Sequence, residues 1–169
     1  MLLSFAGCNK KSGVKEYTSE EMVKILVEDL GLEQDAVHLN ENDGKNGYPA
    51  STELTAKYGD ARILGHFIKD AKEAEEQFDR YEELYETFDS KVDFKGFKHF
   101  ERNDDSGYII IKGTDAGTGL FGDMHATGDL YGAYYYSGSM IIMIYNEPKD
   151  AGMDDVETVI KALGYQGAE

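Results

Sequence analysis

The chain has 169 residues, 41% hydrophobic and 12% aromatic, a composition that suits one domain with a full-sized core and sets disorder aside. Lysine and arginine number 17 against 33 aspartate and glutamate, and the resulting net charge of −16 repels phosphate backbones, so nucleic acid is not an expected partner. No stretch approaches the roughly 20 apolar residues with which a helix spans a bilayer.

The only cysteine, Cys8, closes the stretch Leu3-Ser4-Phe5-Ala6-Gly7-Cys8. Small side chains directly before a thiol allow close approach to the backbone there, as enzymes that acylate the sulfur and cut before it require. The stretch resembles the lipobox of bacterial lipoproteins. The cysteine-free remainder suits an exported Gram-positive protein built without disulfides. The resemblance implies a lipid on Cys8 that holds the protein on the extracytoplasmic side of the cell membrane. On this reading residues 1–7 are the remnant of a signal peptide. Residues 8–16, rich in Asn, Lys, Ser and Gly, form a solvated tether, and 17–167 are a single domain. Roughly 10–20 further residues are expected upstream of Met1, with one to three Lys or Arg and a leucine-rich run.

Thr18-Ser19-Glu20-Glu21 is a capping box, with Tyr17 and Met22 in the staple positions. Val23, Leu26, Val27 and Leu30 follow at helical spacing and Gly31 supplies the C-terminal stop, so a helix is expected over 19–30. Residues 35–39 suit a short strand and 40–51 a loop. Counting Asn42 as position one, that loop places Asn46, Gly47 and Glu53 where a calcium loop wants them, but Gly44 and Pro49 break the pattern. Residues 61–68, apolar on both faces, predict a buried strand. Asp70 then caps a helix whose core stripe is Ala71, Ala74, Phe78, Tyr81, Tyr85 and Phe88. Its Glu73, Glu75, Glu76, Glu82, Glu83 and Glu86 read as a solvated face.

From residue 92 the pattern turns to β. It has a weak strand over 92–100, a clear one over 107–111, a glycine-rich loop over 113–128 and a hairpin turning at Ser137-Gly138. Val156, Val159, Ile160 and Leu163 mark a last helix, stopped by Gly164 as the first is by Gly31. Three helices and an antiparallel sheet of about five strands predict an α+β two-layer sandwich. The layout also resembles small uncharacterised secreted domains of Gram-positive bacteria, a likeness that implies no activity.

Catalytic motifs are lacking. The glycine-rich loop has neither the Lys-Ser/Thr of a phosphate-binding loop nor a dinucleotide fingerprint, and no serine sits in a Gly-x-Ser-x-Gly elbow. Asp123 and His125 could supply two metal ligands to a metal-assisted hydrolase, the alternative reading, but no second pair supports them. The chain is therefore read as a binding or interaction module without catalysis, cofactor or metal.

The hairpin suggests where contact would occur. The turn at Ser137-Gly138 sets Tyr135 opposite Met140, with Tyr131, Ala133, Ile142 and Ile144 on the same face. Tyr134, Tyr136, Ile141, Met143 and Tyr145 then form a second apolar face, expected to be exposed once helix 71–88 covers the first. A tyrosine-rich face would offer a protein, peptide or glycan partner stiff contact area with polar tips. The nearby Asp123, Asp129 and Glu147 would favour neutral or basic groups.

Overall fold

The computed structural model describes residues 13–45, 49–91, 95–114, 129–147 and 152–168, the side chains of 87–91 and 95 excepted. The first helix, α1 (Ser19–Lys24), opens on the expected capping box. Glu21 N donates to Thr18 Oγ1 at 3.2 Å and Thr18 N donates to Glu21 Oε2 at 2.9 Å. The helix continues over Ile25–Asp29 in π geometry, where Leu30 N reaches back to Ile25 O, and it stops at Gly31 with φ +71°. Met22 and Leu26 carry its buried contact; Val23, Val27 and Leu30 are half-buried.

One seven-stranded antiparallel sheet follows, two strands larger than its sequence pattern suggests. The strands are β1 (His38–Asn42), β2 (Ser51–Tyr58), β3 (Ala61–Ile68), β4 (Lys95–Arg102), β5 (Ser106–Thr114), β6 (Asp129–Ser137) and β7 (Met140–Asn146). Their order is β1-β2-β3-β7-β6-β5-β4. Two meanders, β1 to β3 and β4 to β7, thus join where β3 pairs with β7. β2, sequence STELTAKY, escaped the sequence reading because its inward residues are few. Leu54 and Ala56 are buried on one face, while Glu53, Thr55 and Lys57 on the other leave the stretch without a clear apolar pattern.

The crossover between the meanders is α2 (Ala71–Lys91), begun by Asp70, whose Oδ1 accepts from Lys72 N at 2.9 Å. Ala74 and Phe78 are buried, Tyr81 and Tyr85 half-buried and Ala71 exposed; Phe88 lies outside the described side chains. The glutamates of α2 are not all solvated. Arg102 at the end of β4 gathers Glu75, Asp79 and Glu82 onto its guanidinium, clamping helix to sheet. The last helix, α3 (Met153–Ala162), ends with Tyr165 N on Ile160 O and Gly164 N on Lys161 O, a Schellman stop with Gly164 at φ +68°.

The helices occupy both sides of the sheet, so the expected two-layer sandwich is in fact three layers. α1 and α3 pack on one face with Tyr131, Ala133, Tyr135, Met140, Ile142 and Ile144. α2 packs on the other with Ile109, Ile111, Tyr134, Tyr136, Ile141 and Met143. The central strands need apolar residues on both faces because each face carries a helix.

The segment ahead of α1 belongs to the body. Val14 and Tyr17 are buried, Ser137 Oγ donates to Val14 O, Tyr165 Oη to Lys15 O and Tyr17 Oη to Leu163 O. Glu16 Oε1 accepts from Ser139 N at 2.8 Å, clasping the β6–β7 turn. Residues 14–17 are thus packed on and bonded to the body ahead of α1. At the other end Ala168 N donates to Tyr131 Oη at 2.8 Å.

Candidate functional site

The expected contact face is covered. Tyr134 and Ile141 are 0% exposed, Tyr136 3% and Met143 8%, all beneath α2, and only Tyr145 is half-buried. The division of hairpin residues between two faces follows the two-residue period, but the helix assigned to the first face lies on the second. The register also differs. Tyr135 pairs with Ile142 and Ser137 with Met140, because the turn is Gly138-Ser139, with Gly138 at φ +56°. A two-residue hairpin turn of positive φ suits the strand twist, so the ladder closes one residue later than Ser137-Gly138 would allow. Moving the pairing by two residues leaves every side chain on its face.

A different place on the same face stays open. α2 covers β5, β6, β7 and the Leu64 and Ile68 side of β3, and β1 and β2 extend beyond it. There β1, β2 and β3 turn polar side chains to the α2 side: Asn40 and Asn42, Glu53 and Thr55, Arg62 and His66, with register pairs Asn40–Glu53 and Glu53–His66. Where this polar strip meets α2 lies a cleft of about 400 Å³, within the range of small-ligand sites. β1 supplies Asn42, β2 Ser51 and Glu53, and β3 His66 and Ile68. Gln77 and Tyr81 come down from α2, and Pro49 closes the end.

The cleft's chemistry is set by its strands. Glu53 and His66 sit opposite each other on β2 and β3, and Asn42 Nδ2 donates to Glu53 Oε1 at 3.2 Å. Asn42 Oδ1 in turn accepts from Gly44 N, an Asx turn that starts the β1–β2 connection. The calcium-loop spacing thus reflects two residues meeting across a hairpin; Asn46 and Gly47 lie outside the described residues. Burial pushes the His66 imidazole below its ordinary 6.5, opposed in part by the Glu53 carboxylate, which leaves the ring neutral at pH 7. Among the described residues neither the His66 nor the Gln77 side chain makes a hydrogen bond.

Tyr81 ties the cleft to the core. Its ring lies on that of Tyr134 at 4.0 Å between centroids. The Tyr134 hydroxyl is fully buried with no hydrogen-bond partner among the described residues. Burial, and next the Tyr81 hydroxyl beside it, raise Tyr134 well above its ordinary value. Burial likewise raises Tyr81. Both stay protonated, so the cleft offers neutral hydroxyl, imidazole and amide groups around one carboxylate.

Of the other residues singled out by sequence, Cys8, Asp123 and His125 lie outside the described residues. Glu147 is engaged by Arg62 at 2.6 Å, and Asp129 O accepts from Asn146 Nδ2. No group of three or more histidine, cysteine, aspartate or glutamate side chains suited to a metal occurs among the described residues. Nor is any described helix long and apolar enough to cross a membrane. The cleft residues were not found from sequence because they come from four elements, and only the β1–β2–β3 register brings them together. The Asn42–Glu53 spacing was the one signal available.

No family model matches the chain, and no curated protein matches it. Among solved structures, that of a GTP binding regulator from Thermotoga maritima is similar over 90% of this chain and 91% of its own. The two share 7% sequence identity at a TM-score of 0.39, a likeness that transfers neither fold nor function.

Proposed function

We propose that this chain is a membrane-tethered extracytoplasmic lipoprotein that acts as a binding module without catalysis, its ligand seated in the cleft between the first meander and α2. The observation that carries the binding reading is the cleft itself. The His66 and Gln77 side chains stand beside an open volume and make no side-chain hydrogen bond among the described residues. The tether reading rests on the lipobox-like Phe5-Ala6-Gly7-Cys8. With the body starting at Val14, the six steps from Cys8 span at most about 20 Å, which holds the domain close to the bilayer surface. The cleft lies toward the end of the sheet where that segment docks, since Ile68 N donates to Ser139 O and Ser139 N to Glu16.

Cell fractionation tests the tether. In cells carrying the complete gene, Cys8→Ser moves the protein from the membrane fraction to the soluble one; unchanged membrane association refutes lipidation. The hydrolase alternative on Asp123 and His125 draws no support from the described residues.

A further inference from the structure

We infer that the cleft bounded by Asn42, Glu53, His66, Gln77 and Tyr81 binds a neutral polyhydroxylated ligand, one or two sugar units of a glycan. This deepens the binding-module reading and rests on it. The argument starts from what lines the cleft and what does not. Among the described residues no lysine or arginine lines it, so a phosphate, sulfate or carboxylate ligand would enter without a charge partner from them. Among the described residues one carboxylate, Glu53, lines it, and one of its oxygens already accepts from Asn42. A buried cation would thus find a single, partly used counter-charge.

The remaining groups are mixed donors and acceptors. Asn42 and Gln77 carry amides with both functions, the neutral His66 ring has one nitrogen of each kind, and Tyr81 adds a hydroxyl and an aromatic surface. A sugar hydroxyl is itself donor and acceptor, and neighbouring hydroxyls on a ring can bridge a carboxylate and an amide at once. The C–H face of the ring would rest on apolar surface, here Ile68, Pro49 and the Tyr81 ring. The volume of about 400 Å³ and the partly open mouth suit a terminal unit or a short stretch of chain. Because β1–β3 form one hairpin-linked meander, Asn42, Glu53 and His66 are held in place by strand register and need little ordering on binding.

The test uses the full chain, with the histidine ring resonances followed by NMR. Glucose, galactose, N-acetylglucosamine, cellobiose and chitobiose are titrated separately to tens of millimolar, beside tetramethylammonium and inorganic phosphate. At least one sugar is expected to shift the His66 signals saturably, with His38 and His99 as internal controls. Gln77→Ala, on the half-buried face of α2, should weaken that sugar about five- to tenfold without moving the unfolding midpoint, and Glu53→Gln should weaken it at least as much. A saturable His66 shift with tetramethylammonium or phosphate, and none with sugars, overturns the ligand class while leaving a binding cleft. Silence with every probe overturns the sugar assignment and the cleft together. Neither result touches the tether, which fractionation of Cys8→Ser tests separately.

Discussion

His66 shows how one side chain carries both a stability cost and a site. Its imidazole sits half-buried beside α2, and burial lowers its affinity for a proton below the ordinary 6.5. The unfolded chain therefore binds that proton first as pH falls, so the folded state loses stability from about 6.5 downward and keeps all of it above. His66→Gln should flatten this loss: the drop in chemical-denaturation midpoint between about pH 7.5 and pH 5.5 shrinks relative to wild type. An unchanged drop would mean that Glu53 compensates the buried charge in full. Phe78 illustrates the opposite case, a residue that only packs. Its ring meets Phe100, Tyr134 and Tyr136, and it is fully buried. Gly107 makes room for it, since a Cβ there would stand 2.9 Å from Phe78 Cε1. Phe78→Ala should cost about 3–5 kcal/mol in equilibrium unfolding, and Gly107→Val should destabilise by a steric route that shortening Phe78 partly relieves.

At the scale of elements, the helix ends were legible because caps are local chemistry. Thr18 and Glu21 exchange both bonds of the capping box, and Thr18→Ala should cost about 1 kcal/mol, read as a lower melting temperature. The π turn over Ile25–Asp29 was not legible, since the apolar spacing of Val23, Leu26, Val27 and Leu30 reads equally as an α-helix. The packing of Val14 and Lys15 escaped for a related reason: both are held through their backbone carbonyls, which carry no sequence signal. Tyr17 Oη and Tyr165 Oη nonetheless tie the segment to α3 and the chain end. Removing residues 1–12 should leave the unfolding midpoint unchanged, whereas removal through Tyr17 should cost about 3 kcal/mol or more. Equal stability of the two truncations would show that the strap is dispensable.

The whole molecule is a sheet padded on both sides with tyrosine. Tyr81, Tyr108, Tyr131, Tyr134, Tyr135, Tyr136, Tyr145 and Tyr165 are all pushed above the ordinary 10, burial being the first cause in each. Raised phenol values mean that the folded chain holds protons which the unfolded chain releases. Stability is therefore complete below pH 10 and falls as pH rises beyond it. On alkaline titration, tyrosinate absorbance from most of these rings should appear together with loss of far-ultraviolet dichroism, in one cooperative step. Gradual ionisation with the fold intact would contradict the burial described here.

What the amino-acid sequence determined by itself is what depends on near neighbours. It includes three helices with their caps, the division of hairpin residues between two faces, and the antiparallel β character from residue 92 onward. These follow from periods of 3.6 and 2 and from turn chemistry, all read within a dozen residues. Tertiary structure alone decided which face each helix covers. Both faces of the β6–β7 hairpin are equally apolar, so nothing in its pattern could choose between α2 and the pair α1 and α3. α2, linking β3 to the far edge strand β4, lies over Tyr134, Tyr136, Ile141 and Met143, and α1 and α3 take the other face. Beyond the reach of α2, on its side of the first meander, Asn42, Glu53 and His66, up to 24 positions apart in the chain, become neighbours through strand register.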